Sequence, residues 1–318
     1  MSKIVSRIIN NSTHGLTYSG IENIDPKKHY VYISNHRDIV LDAAFLQDIF
    51  VRENFPTTEV TFGNNLMENQ LIYDIGKVNK MFKVYRKGNP KELLKKTIQL
   101  SEYIRYTIFN KRQSVWIAQR GGRTKDGDDK TQTGIIKMLN FSGNKNFIKN
   151  IQELNIIPIS VSYEYEPNDN LKVYELYHTI NGKYEKKPNE DINSIIDGVT
   201  AQKGKVHFSF CKALNTRLYE IESIGKTNEK VLKTTHIIDN EIHKNYKLYP
   251  NNYIAYDALN KTEMYSNQYT TFEKTNFIQY MNQKLLFINL LNETSKNMFL
   301  SIYANPVKNY EKSVINTL

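Results

Sequence analysis

YVYISNHRDIVLDAAFLQDIF, residues 30–50, joins two apolar runs of different period through a polar hinge. YVYIS (30–34) is β-branched and aromatic, the composition of a strand. From Ile39 to Phe50 apolar side chains cover nearly every face of a helix, so that helix is expected to be buried. His36, Arg37, Asp38 and Asp42 stand at the joint. Asp38 sits where a helix N-cap belongs and has the acceptor such a cap needs. Asp42 lies one turn inside, where a lone carboxylate would cost several kcal/mol unless paired. Its nearest partner is His36, and a carboxylate on one imidazole nitrogen would leave the other free as a general base. An unrelated Arg or Lys is the alternative partner.

His36-Arg37-Asp38 also matches the start of a kinase catalytic loop, H-R-D-L-x-x-x-N. That loop needs Asn five residues after its Asp, and position 43 is Ala. Asp74-Ile75-Gly76 is followed by no A-P-E. The 35 residues before His36 leave no room for a Gly-rich loop, a strand lysine and a helix. A kinase is not expected.

Outward from this hinge, strands are predicted at 58–63, 81–86, 114–118, 156–165 and 205–211, and helices at 39–50, 90–109 and 133–152. Their alternation predicts an α/β fold with a mixed, largely parallel sheet flanked by helices. The polarity of the chain changes near residue 215. We therefore divide it into an N-terminal segment (1–28), an α/β domain (29–214) and a mostly helical C-terminal extension (215–318). Ligands bind outside the carboxyl ends of parallel strands. Those ends carry His36, then Arg86 and Lys87, then Arg120, Gly121, Gly122 and Arg123, and His36, Arg86 and Arg123 are predicted to share one crevice. The guanidinium fork suits phosphate, and glycine lets backbone approach a ligand.

These blocks resemble the glycerolipid acyltransferases, which acylate glycerol 3-phosphate or 1-acylglycerol 3-phosphate. The resemblance covers residues 29–212. NHRDIVLD stands for N-H-x4-D, MFKVYRKG with Arg86 for the second block, RGGRTKDG with Gly122 and Arg123 for E-G-x-R, and IIPISVSY with Pro158 for the fourth. The resemblance implies His36 as general base and Asp42 as its support. It also implies that Arg86, Lys87, Gly122 and Arg123 bind the acceptor. The acyl donor would be acyl-CoA or acyl carrier protein, with no cofactor and no metal. Two departures stand out. Asp42 follows His36 by six residues, one more than the family spacing, so either a bulge restores the pair or Asp38 serves as the dyad acid. Gly121 replaces the family Glu. Asp126, Asp128 and Asp129 are the nearest carboxylates, and their ordinary reading is solvated loop acids. Gly121 also keeps open a catalytically impaired homologue that binds lipid or carrier protein in the same cleft. The acceptor remains open among glycerol 3-phosphate, its monoacylated form (a lysolipid), and an amino-acid lipid.

The formal charge of +10 favours an acidic carrier protein or an anionic membrane surface. Charge alone supports nucleic acid, and no aromatic RNP-type pattern accompanies it, so no nucleic-acid partner is expected. No run reaches the ~20 apolar residues a membrane span requires, and no signal peptide is visible. The expected place is the cytoplasm, peripheral to the inner face of the membrane. Asp239 and His243 have helical i,i+4 spacing, but no second pair joins them, and a solvated helix face is the expectation.

Overall fold

Both faces of the first predicted strand are apolar, which requires a layer on each side of the sheet. The computed structural model supplies both layers. It describes residues 2–63, 74, 76–77, 79–85, 88–180, 182, 184–186 and 190–315. Seven strands form one sheet: β1 Leu16–Ser19, β2 Val31–Ser34, β3 Glu59–Gly63, β4 Met81–Val84, β5 Val115–Ala118, β6 Ile157–Tyr163 and β7 Val206–Phe210. Their order is β1-β7-β6-β2-β5-β3-β4. Every pairing is parallel except β6 with β7. The sheet is thus mixed and largely parallel, as expected.

The helices described are α1 Ser2–Ser12, α2 Leu41–Arg52, α3 Pro90–Phe109, α4 Thr133–Phe141, α5 Phe147–Gln152, α6 Asp169–Thr179, α7 Glu190–Thr200, α8 Thr227–Lys244, α9 Pro250–Asn260, α10 Thr271–Phe287 and α11 Glu293–Ile315. The helix predicted over 133–152 is two helices. Gly143 and the capping Asn146, whose side chain accepts from the Lys149 N–H, break it. The four residues of β1 were too short to read as a strand.

Strand alternation sorts side chains between the layers. Tyr32, Trp116, Ile159, Val161 and Tyr163 face α1 and α2, packing with Val5, Leu41, Phe45, Ile49 and Phe50. Val31, Ile33, Val115 and Ile117 face the other way, against Ile104, Ile108, Ile136, Leu139, Ile237 and Ile238 of α3, α4 and α8. Each such large apolar side chain stabilises the fold by about 1.5–3 kcal/mol when fully buried. A third core joins Val173 of α6 to Ile254, Phe277, Phe299 and Tyr303 of α9, α10 and α11. Residues after 214 therefore divide between two cores, because α8 belongs to the sheet's layer.

The register Ser34↔Ala118 ends β2 level with β5, while β6 runs on from Ile159, opposite Ser34, to Tyr163. The Gln119 N–H donates to the Ser34 carbonyl at 2.8 Å, and the Thr124 N–H to the His36 carbonyl at 2.8 Å. The segment after β5 is thereby drawn across the hinge after β2.

Candidate active site

Asp38 caps α2. Its Oδ1 accepts from the N–H groups of Val40 and Leu41 at 2.9 and 2.8 Å. The extra residue between His36 and Asp42 is taken up in the bend over 38–40, and the helix starts at Leu41. His36 Nδ1 lies 2.9 Å from Asp42 Oδ2. Of the two acids considered, Asp42 is the one beside the ring.

Asp42 is fully buried. Its Oδ2 also accepts from the N–H groups of Arg37 (2.7 Å) and Asp38 (3.0 Å), and its Oδ1 from the Tyr163 hydroxyl (2.8 Å). Four donors offset the cost of burying the charge. Asp42 accepts at Nδ1, so the Nδ1–H tautomer of His36 leaves Nε2 as the basic nitrogen, with no hydrogen bond to any described residue. The ring meets Trp116 edge-on, centroids 5.9 Å apart, and Trp116 is fixed by a 3.0 Å bond from Nε1 to Ser34 Oγ.

His36 lines a cavity of about 390 Å³ at the carboxyl ends of the strands. Ile39, Phe62, Val84, Trp116, Ala118 and Leu176 form its apolar wall, and Arg120, Gly121, Gly122 and Arg123 its polar one. Arg120 Nε and Arg123 Nη1 are buried without a hydrogen-bond partner, and neither arginine makes an ion pair among the described residues. Lys125 and Lys186 differ, being paired with Glu175 and Asp191. The structure thus brings together His36, Asp42, Gly122 and Arg123. Arg86 and Lys87 lie outside the described residues. Arg120, given no role from sequence, lines the same wall.

Gly121 supplies no carboxylate; its N–H donates to Gln132 Oε1 at 2.9 Å. Nor is Asp129 a solvated loop acid: it is 2% exposed. Its Oδ2 accepts from Arg37 Nη2 (2.5 Å) and Asn35 Nδ2 (3.1 Å), its Oδ1 from the Thr124 hydroxyl (2.6 Å). Asn35 in turn exchanges two hydrogen bonds with the Val161 backbone, at 2.7 and 2.9 Å. Arg37 also faces Glu166, which pairs with Lys172 at 2.6 Å. Burial opposes the Arg37 charge, but Asp129 and Glu166 outweigh it and hold the guanidinium well above its ordinary pKa. Burial, reinforced by Arg123 and Arg37, lowers the Lys172 ammonium despite Glu166. Arg37 and Lys172 thus share Glu166, and Arg37 pairs with Asp129 as well.

Asp239 and His243 are not a solvated face either. Asp239 accepts from the Thr131 N–H at 2.7 Å and His243 Nε2 contacts the Asp129 carbonyl at 2.6 Å, so both pin the loop behind the site. From the C-terminal layer, Asn305 donates to the Asp126 carbonyl at 2.8 Å and Asn309 to Asp128 at 3.2 Å. Pro306 lies inside α11 and has no N–H for the Ile302 carbonyl one turn before it. Gly127, at φ +77°, rests against that carbonyl, where a Cβ would lie 2.1 Å from the oxygen. Gly127→Ala is expected to destabilise the protein by roughly 2–3 kcal/mol, from overpacking and a left-handed backbone together. Thermal unfolding checks this; an unchanged Tm would mean the loop is not seated on α11.

Among the described residues, a hydrogen-bonded His–Asp pair thus stands beside two guanidinium groups that make no ion pair, in a cleft at the carboxyl edge of an α/β sheet. Residues 15–162 match the family model described as Acyltransferase, so this part of the chain carries an acyltransferase domain. The match begins ahead of the expected residue 29 and ends within β6. The structure is also similar to that of the 1-acyl-sn-glycerophosphate (LPA) acyltransferase PlsC from Thermotoga maritima, at 14% identity over 75% of this chain and 76% of that chain, with a TM-score of 0.40. No curated protein matches the sequence.

Proposed function

We propose that this acyltransferase moves a fatty acyl group from an acyl thioester, acyl-CoA or acyl carrier protein, to a hydroxyl of a glycerol-phosphate-type acceptor. The observation that carries the reading is the Asp42-bound His36 ring in one cavity with Arg120 and Arg123, two arginines without carboxylate partners among the described residues. His36 Nε2 takes the proton of the acceptor hydroxyl as its oxygen attacks the thioester carbon. The new C–O bond forms, the C–S bond breaks, and the imidazolium returns the proton to the departing thiolate. Asp42 fixes the tautomer and stabilises the imidazolium. Arg120 and Arg123, together with Arg86 and Lys87 as the resemblance implies, hold the acceptor's phosphate, and Gly122 lets the backbone approach it. No step in this scheme calls for a metal or cofactor.

The partners we infer are the acyl donor, a lysolipid or glycerol phosphate, and an anionic membrane surface on the cytoplasmic side. The net charge of +10 supports the last, and no described helix is long and apolar enough to cross a membrane. Arg120→Ala and Arg123→Ala are each expected to raise the acceptor KM by about tenfold, the loss of one charge-assisted hydrogen bond, with the donor KM unchanged. Steady-state kinetics with glycerol 3-phosphate and its monoacylated form test this. An acceptor KM unmoved in both variants would remove the arginines from phosphate binding.

A further inference from the structure

We infer that Tyr163 is a positioning residue for the His36–Asp42 pair, holding the carboxylate oxygen that the imidazole does not use. The inference deepens the acyl-transfer reading and rests on it. Tyr163 closes β6, and its side chain lies on the face of the sheet that packs against α2. It is 1% exposed, and its hydroxyl donates to Asp42 Oδ1 at 2.8 Å. The other three donors to Asp42, Nδ1 of His36 and two backbone N–H groups, all meet Oδ2. Tyr163 is therefore the one described group that bonds the second oxygen, and it fixes the carboxylate at both ends. Burial, then the Asp42 and Asp38 carboxylates, push the phenol well above its ordinary pKa, so it stays a donor at any physiological pH.

Catalysis needs the imidazole fixed in angle as well as present, and outer groups that orient a reacting histidine or its ligand commonly matter by about 10- to 100-fold. Tyr163→Phe deletes one oxygen and keeps the ring that packs on α2. The expected result is a kcat about tenfold lower with both KM values within about twofold of wild type. The second readout is the proton resonance of His36 Nδ1–H, assigned by its loss in His36→Ala. With one donor fewer, Asp42 accepts that proton more strongly, so the resonance moves downfield. An unmoved resonance overturns the inference whatever kcat does, and so does an unchanged kcat. If wild-type protein acylates no acceptor, the acyl-transfer reading falls, while the resonance still decides whether Tyr163 orients the pair.

Discussion

His36→Ala is expected to lower kcat for acyl transfer by about 10³-fold, the middle of the range a positioned general base contributes. The fold should survive, because the ring lies at a cavity wall, 11% exposed as a side chain, and gives the interior only its contact with Trp116 and one bond to Asp42. Removing it leaves Asp42 with three donors. The expected pattern is lost turnover, an acceptor KM near wild type and a Tm within a few degrees. Thiol release from an acyl thioester, followed with and without acceptor, gives the rate. Turnover within tenfold of wild type would remove His36 from the chemistry.

The second large effect falls on stability. Asp129→Ala is expected to cost about 3–5 kcal/mol, the usual loss when a buried ion keeps its charge and loses its partner. Arg37, 1% exposed, would retain Glu166 at 3.4 Å as its one carboxylate among the described residues, beside the Tyr246 ring, and Asn35 and Thr124 would each lose a hydrogen bond. For a chain of this size that corresponds to a Tm lower by roughly 10 °C. Removing the exposed pair Lys226–Glu229 instead should change stability by less than about 0.5 kcal/mol, since both side chains remain in water. Equal effects from the two changes would contradict the ionic knot behind the hinge. Asp129→Ala should also slow transfer, because the same carboxylate fixes Asn35, the residue before His36.

Much of this architecture was legible in the residues. Six strands and α3 have runs of β-branched or periodic apolar residues long enough to declare themselves, and the polar joint at 35–42 stood out because a buried helix rarely carries a lone acid. What stayed hidden follows from physics that one-dimensional patterns do not carry. Asp129 reads as a loop acid, since KDGDD is as polar as any surface turn; only the fold shows that Arg37 crosses over to meet it. Tyr163 reads as one more apolar strand residue, although its place at the carboxyl end of β6, on the face toward α2, is a usable signal once the strand order is known. The antiparallel entry of β7 depends on the connection through α6 and α7, and α6 has no strong apolar period. Asp239 and His243 read as a pair because both lie on one helix face, whereas each serves a different atom of the loop across from it.

Acyl transfer by this site depends on where an acceptor hydroxyl sits. A crystal structure with glycerol 3-phosphate bound measures this directly. It is predicted to place a hydroxyl oxygen within hydrogen-bond distance, about 2.6–3.2 Å, of His36 Nε2, with the phosphate against Arg120 and Arg123. A phosphate seated away from both arginines, or a bound acceptor whose hydroxyls all lie beyond reach of that nitrogen, would contradict it.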